Sequence, residues 1–277
     1  TRTAQLIRVI VVIALLGLAV VVASGVAGDA VAPADTASLF TGGIAGILQA
    51  AGLLFFAFAG YARIATMGEE VRDPTRTIPR AILIALLTTV AIYAVIAVVV
   101  LTVLGPAVAM SAAPLADVVA AAGWTWAQPV VRIAAAAASL GALLALIAGI
   151  GRTSLAMARE GDLPRFFAAV HPRWRVPYRA ELAIAIIVIG AVCLVDLRGA
   201  IGFSSFGVLL YYLIANLSAF RQRGAARRYP RWLQIAGAVG CLMLAFALPW
   251  QAVAAGFAVV LIGVALRALL RRPQVVD

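Results

Sequence analysis

The chain has 277 residues, 65% of them hydrophobic and only 12% charged, with a formal net charge of +11 at pH 7. That balance leaves too little polar surface for a water-soluble domain and points to the membrane. The basic residues sit at the ends of apolar stretches rather than on one polar patch, which argues against nucleic acid as a partner and for attraction to anionic lipid. In chain order, apolar stretches able to cross about 30 Å of hydrocarbon fall near residues 6–26, 43–65, 82–104, 128–150, 181–197, 200–219, 232–248 and 250–270. Backbone groups in lipid must be satisfied within their own segment, and these stretches are too long and too continuously apolar for barrel strands. The expectation is an all-α membrane protein, one transmembrane domain over residues 1–277 with eight helices.

All 22 basic residues are arginines. Counted across alternate sides of the eight spans, residues 2, 8, 72, 76, 80, 152, 159, 165, 173, 175, 179, 221, 223, 227, 228, 231, 267, 271 and 272 share one face, and only Arg198 falls on the other. Arg63 and Arg132 lie inside spans. The positive-inside rule makes the arginine-rich face cytoplasmic, with both ends of this chain there, in the cell membrane. Cys193 and Cys241 lie in separate apolar spans, and the single His171 precedes Pro172 in a polar connector. None of these suggests a disulfide, a metal site or a catalytic constellation. No enzyme activity and no bound cofactor are expected.

In the second span, Gly42, Gly43, Gly46 and Gly52 suit close helix packing. Gly60 differs, because it follows Phe-Ala-Phe-Ala in mid-span and precedes Tyr61, where an unwound backbone would offer carbonyls and amides to a polar ligand. The span then runs into Glu69, Glu70, Arg72, Asp73, Pro74, Arg76, Pro79 and Arg80 before the next apolar stretch begins. This segment, residues 55–82, resembles the sixth transmembrane helix and following loop of the amino acid-polyamine-organocation transporter superfamily. Arg152, residues 156–164 (AMAREGDLP), His171-Pro172-Arg173 and Pro177 resemble the end of that family's eighth helix and the loop to its ninth. Together the two motifs and the hydropathy extend the resemblance over essentially the whole chain.

The resemblance implies a LeuT-like bundle of two inverted five-helix repeats followed by two more helices. On that alignment the first span here is the family's fifth helix and the last its twelfth. The chain would then be a truncated C-terminal portion, and the family's first helix, which holds the substrate carboxylate, would lie among four preceding helices; Thr1 in place of an initiator methionine is consistent with this. The family breaks its sixth helix where Gly60 stands, so the carbonyls of Phe56, Ala57 and Ala59, within the stretch Phe56, Ala57, Phe58, Ala59, Gly60, would receive an ammonium group. Phe56 or Tyr61 would cover it, with cation–π attraction of about 0.5–2 kcal/mol. Arg63 departs from the family's usual small or acidic residue. It either meets a substrate carboxylate or pairs with Glu69 or Glu70.

The loop from Glu69 to Arg80 reads as an inner gate, and Glu69 and Glu70 are also candidate proton carriers, since the chain lacks lysine. The eighth helix of the family would contribute near residues 143–146 and the tenth near Ser204 and Ser205, while Tyr211, Tyr212 and Asn216 are expected to hydrogen-bond between helices. The leading expectation is a secondary transporter of amino acids or related amines working by alternating access. The alternative is a membrane partner or remnant that transports nothing, with a channel as a weaker third.

Overall fold

Alanine, valine, leucine and isoleucine dominate the apolar stretches, and proline is nearly absent from them, so in lipid each stretch closes its hydrogen bonds on itself as a helix. The computed structural model describes residues 2–28, 42–58, 60, 71, 73–174, 176–223, 227 and 229–270. Among the described residues the chain is all-helical. In order the helices are α1 (Arg2–Ala27), α2 (Gly43–Leu54), α3 (Pro74–Leu104), α4 (Pro114–Ala121), α5 (Gln128–Arg159), α6 (Tyr178–Leu194), α7 (Leu197–Phe220), α8 (Arg231–Ala247) and α9 (Trp250–Leu270). Short 3-10 turns join several of them.

Among the described residues, five stretches are long and apolar enough to cross a membrane: Gln5–Ala27, Pro74–Met110, Thr125–Arg159, Leu197–Phe220 and Trp250–Ala268. Helices α6 and α8 have 17 residues each, a rise of about 25 Å at 1.5 Å per residue. They fall slightly short of the hydrocarbon thickness, and α6 carries Arg179 and Glu181 in its first turns. The apolar stretch Gly43–Phe58 is also in the shorter class. The protein is a multi-pass membrane protein.

The helices divide into two units, Thr1–Leu39 with Tyr61–Gly149 and Phe40–Gly60 with Ile150–Asp277. In the first, valines from four elements build the core: Val21 of α1, Val99, Val100 and Val103 of α3, Val118 and Val119 of α4, and Val131 of α5. Gly25 lets α1 lie against α3 so closely that a side chain there would run into Val99. Helix α3 starts sharply because Pro74 occupies its first turn, where a missing N–H costs nothing. Asp73 before it adopts the left-handed conformation at φ 47°. Its carbonyl accepts from the N–H of Arg76 and Thr77, and Thr75 Oγ1 donates to its carboxylate at 2.9 Å.

Helix α4 was not among the expected elements. It has eight residues and carries Asp117, so it fails any test for a membrane span. Its signal in the sequence is local: Pro114 at the helix start and the adjacent Val118 and Val119, both fully buried.

The second unit is organised around α7. Phe206 and Leu209 of α7 form a core with Ala245 and Leu248, joined by Leu53 and Phe55 from the α2 segment, Leu244 and Val253. Gly256 of α9 faces the Phe206 ring so closely that any side chain there would overlap it. Asp196 caps α7, its carboxylate accepting from the N–H of Gly199 at 3.4 Å. The expected hydrogen bonding of Asn216 between helices is corrected: Asn216 Nδ2 donates to the Tyr212 carbonyl of its own helix at 2.8 Å. The side chain nevertheless abuts α8, where the absence of a side chain on Gly237 makes room for it.

Helix α5 ends at Gly161, which takes φ 79°, and the N–H groups of Asp162 and Leu163 turn back to the Met157 carbonyl. This turn sets Asp162 3.0 Å from Arg267 of α9. With the two side chains 25% and 52% exposed, solvent screens the pair, and a double-mutant cycle of Asp162→Asn and Arg267→Gln, read by thermal unfolding in detergent, is expected to give a coupling of about 0.2–1 kcal/mol. A coupling of several kcal/mol would mean that the pair is shielded from solvent.

Candidate substrate site

The expected break in the second span coincides with a change of backbone geometry. The Phe55 N–H still bonds back to the Ala51 carbonyl, and α2 ends there. The next residues, Phe55–Phe58, tighten into a 3-10 turn. Gly60 then adopts φ 107°, a region open to glycine and strained for every L side chain. Among the described residues nothing lies within 4 Å of where a Cβ on Gly60 would stand, and the backbone conformation by itself favours glycine here.

Two contacts seat this segment on the second unit's core. Gly52, the buried residue of α2, brings the helix against α8: a Cβ there would lie 3.0 Å from the Leu244 carbonyl oxygen and 3.1 Å from Leu248 Cδ2. One turn later, the Phe55 ring meets Tyr212 of α7 edge-on, with centroids 5.8 Å apart. Of the four glycines expected to serve packing, only Gly52 meets another helix. Gly46 has nothing within 4 Å of a built Cβ, Gly42 faces only Gly46, and Gly43 stands at φ 58° at the start of the helix.

Phe56 and Ala57 are exposed, whereas Phe58 and Gly60 are partly buried. Ala59, Tyr61, Arg63, Glu69 and Glu70 lie outside the described residues, so the aromatic cover, the in-span charge and the gate acids have no described geometry. Leu143, Leu144 and Leu146 of α5 are exposed.

Ser204 and Ser205 sit on α7. Ser205 is fully buried, and among the described residues its Oγ has no hydrogen-bond partner. An unpaired buried hydroxyl costs about 1–3 kcal/mol, so Ser205→Ala is expected to keep or raise the thermal stability. A marked drop in Tm would reveal a partner for the hydroxyl.

The sequence reading assigned Arg198 only to the face opposite the other arginines. In the structure Arg198 Nη2 donates to Gln49 Oε1 of α2 at 3.5 Å. Both residues line a cavity of about 540 Å³ with Asp196, Trp250 and Gln251. No spacing rule joins residues 49 and 198; only the packing of α2 beside α7 does.

Comparison with known proteins agrees with the helical architecture. The chain matches the amino acid permease family over residues 3–274. It belongs to that family, within the amino acid-polyamine-organocation superfamily. Among individual proteins, it is 53% identical over 281 residues to a protein named as an uncharacterized transporter in Mycobacterium bovis, and equally so to one in Mycobacterium tuberculosis. Each alignment covers 100% of this chain and 64% of the relative. It is also 32% identical over 186 residues to human cationic amino acid transporter 4, covering 67% of this chain and 29% of that protein. The chain thus spans less than two thirds of the length of its mycobacterial relatives.

Proposed function

We propose that this chain is the larger, C-terminal part of a secondary transporter that moves amino acids or related amines across the cell membrane by alternating access. The observation that carries the proposal is the end of α2 before a 3-10 turn and a glycine at φ 107°, inside a chain of the amino acid permease family. A carbonyl has two acceptor lone pairs, so those of Phe56, Ala57 and Ala59 can bond an ammonium in addition to backbone partners. Phe56 or Tyr61 would close over it, and Arg63 would meet a carboxylate or pair with Glu69 or Glu70. The names of relatives such as human cationic amino acid transporter 4 make basic amino acids the first substrates to try.

In this reading α2, α6 and α8 join the five longer helices as eight spans of a LeuT-like inverted-repeat bundle, with the arginine-rich ends in the cytoplasm. Four further helices of the same transporter would complete the carboxylate side of the site, in keeping with the unmatched third of the mycobacterial relatives. Glu69 and Glu70 would serve the inner gate or carry protons. The test is uptake of labelled arginine, lysine, leucine and phenylalanine by proteoliposomes holding the full-length transporter, with and without an inward proton gradient. Saturable uptake of any of them supports the proposal. No uptake under either condition favours a partner that transports nothing.

A further inference from the structure

The connector between α5 and α6 has a chemistry of its own. Residues 163–180 carry Arg165, Arg173, Arg175, Arg179 and His171, with no aspartate or glutamate. The segment is nevertheless ordered by specific contacts. His171 Nδ1 accepts from the backbone N–H of Arg173 at 3.2 Å and of Trp174 at 3.4 Å. The imidazole stacks on Trp174 with centroids 4.4 Å apart and meets Tyr178 edge-on at 5.7 Å. The His171 N–H closes the loop on the Val176 carbonyl at 2.8 Å. On the same connector Arg179 Cζ lies 4.5 Å from the centre of the Phe166 ring, and its Nε donates to the Tyr178 hydroxyl at 2.9 Å.

This arrangement spends the histidine and one guanidinium edge on holding the loop, and turns large aromatic surfaces outward beside cations. Phe166 is 60% exposed and Trp174 66% exposed, and Arg165 and Arg173 are exposed next to them. In water such surface is costly. At the boundary of a bilayer it is favourable, because aromatic rings settle at headgroup depth while arginine forks bind phosphate oxygens. Glu160 and Asp162 precede these arginines and Glu181 follows them, but Asp162 is paired with Arg267 at 3.0 Å, so the stretch from Arg165 to Arg179 presents positive charge that suits a phosphodiester.

We propose that the α5–α6 connector is a docking site for the headgroups of anionic phospholipid, with Arg165, Arg173 and Arg179 binding phosphate and Phe166 and Trp174 anchoring in the interfacial layer. The site is separate from the α2 break, and its existence does not depend on which substrate the transporter carries.

Delipidated full-length transporter in detergent micelles, titrated with fluorescent phosphatidylglycerol and with phosphatidylcholine as reference, tests it. Wild type is expected to prefer phosphatidylglycerol. At about fivefold per arginine near a lipid surface, the triple variant R165Q/R173Q/R179Q is expected to lose about a hundredfold in that affinity. A charge-matched variant away from the connector, R221Q/R223Q/R227Q, is expected to change it far less. F166A/W174A keeps every charge and is expected to weaken binding too, which a purely diffuse attraction would not produce. Equal losses in both arginine variants would overturn the proposal in favour of bulk charge. Unchanged phosphatidylglycerol affinity in R165Q/R173Q/R179Q would also overturn it, and leave this surface to an acidic protein segment.

Discussion

Gly60→Leu in the full-length transporter is expected to abolish amino acid uptake while leaving membrane insertion intact. The residue stands at φ 107° after a 3-10 turn, and an L side chain forced into such a region costs about 1–3 kcal/mol. The chain avoids that cost by changing its dihedrals, which re-aims the peptide groups around Gly60. Because the positive φ is strained for any L side chain, Gly60→Ala is expected to lose most of its uptake as well. The pair of variants therefore separates conformation from volume. Normal transport by Gly60→Leu would remove this segment from the substrate site, and normal transport by Gly60→Ala alone would make size the reason for glycine. Insertion is read independently from the amount of protein in the membrane fraction.

Gly52→Leu is expected to produce a large loss of stability in the second unit. A Cβ at Gly52 meets the Leu244 carbonyl oxygen at 3.0 Å, and a backbone atom inside a helix cannot rotate away as a side-chain end can. Overpacking of this kind costs about 1–3 kcal/mol, here toward the upper end because α2 must move bodily from α8. The thermal midpoint in detergent should fall by several degrees. Gly240→Leu on α8, where nothing lies within 4 Å, should fall far less and serves as the control. Uptake should fall with Gly52→Leu too, since the displaced helix carries Phe55 away from Tyr212 and shifts the turn that follows. A Gly52→Leu protein as stable as wild type would show that α2 and α8 are not in close contact.

Much of the architecture was legible because the bilayer restricts what a chain can do. The helical class follows from length and hydropathy, with five of the expected eight stretches long enough to span among the described residues, and the two charged motifs around residues 55–82 and 152–177 pointed to the family to which the chain belongs. Gly60 could be singled out from its neighbours alone, since a glycine amid aromatic residues in mid-span has a backbone meaning that does not require knowing the fold. The α4 helix was missed for the opposite reason. Eight residues with an aspartate carry no membrane-length signal, and their burial comes from valines of α1, α3 and α5 that are distant in sequence.

The side-chain pairings were illegible in the same sense. Arg198 with Gln49, Arg267 with Asp162, and Phe55 with Tyr212 each join residues far apart in the chain, and nothing local distinguishes them from other residues of their type. Asn216 shows the converse error, an expected link between helices that stays within one helix, because a carbonyl one turn back is always in reach.

By itself the sequence determined the solvent, the helical class and the family, all of which depend on composition and short-range geometry. Only the tertiary structure decided which glycine packs, which arginine finds a partner and how the His171 loop turns its rings outward. Those outcomes depend on distances of a few ångströms between segments whose separation along the chain carries no information about their separation in space.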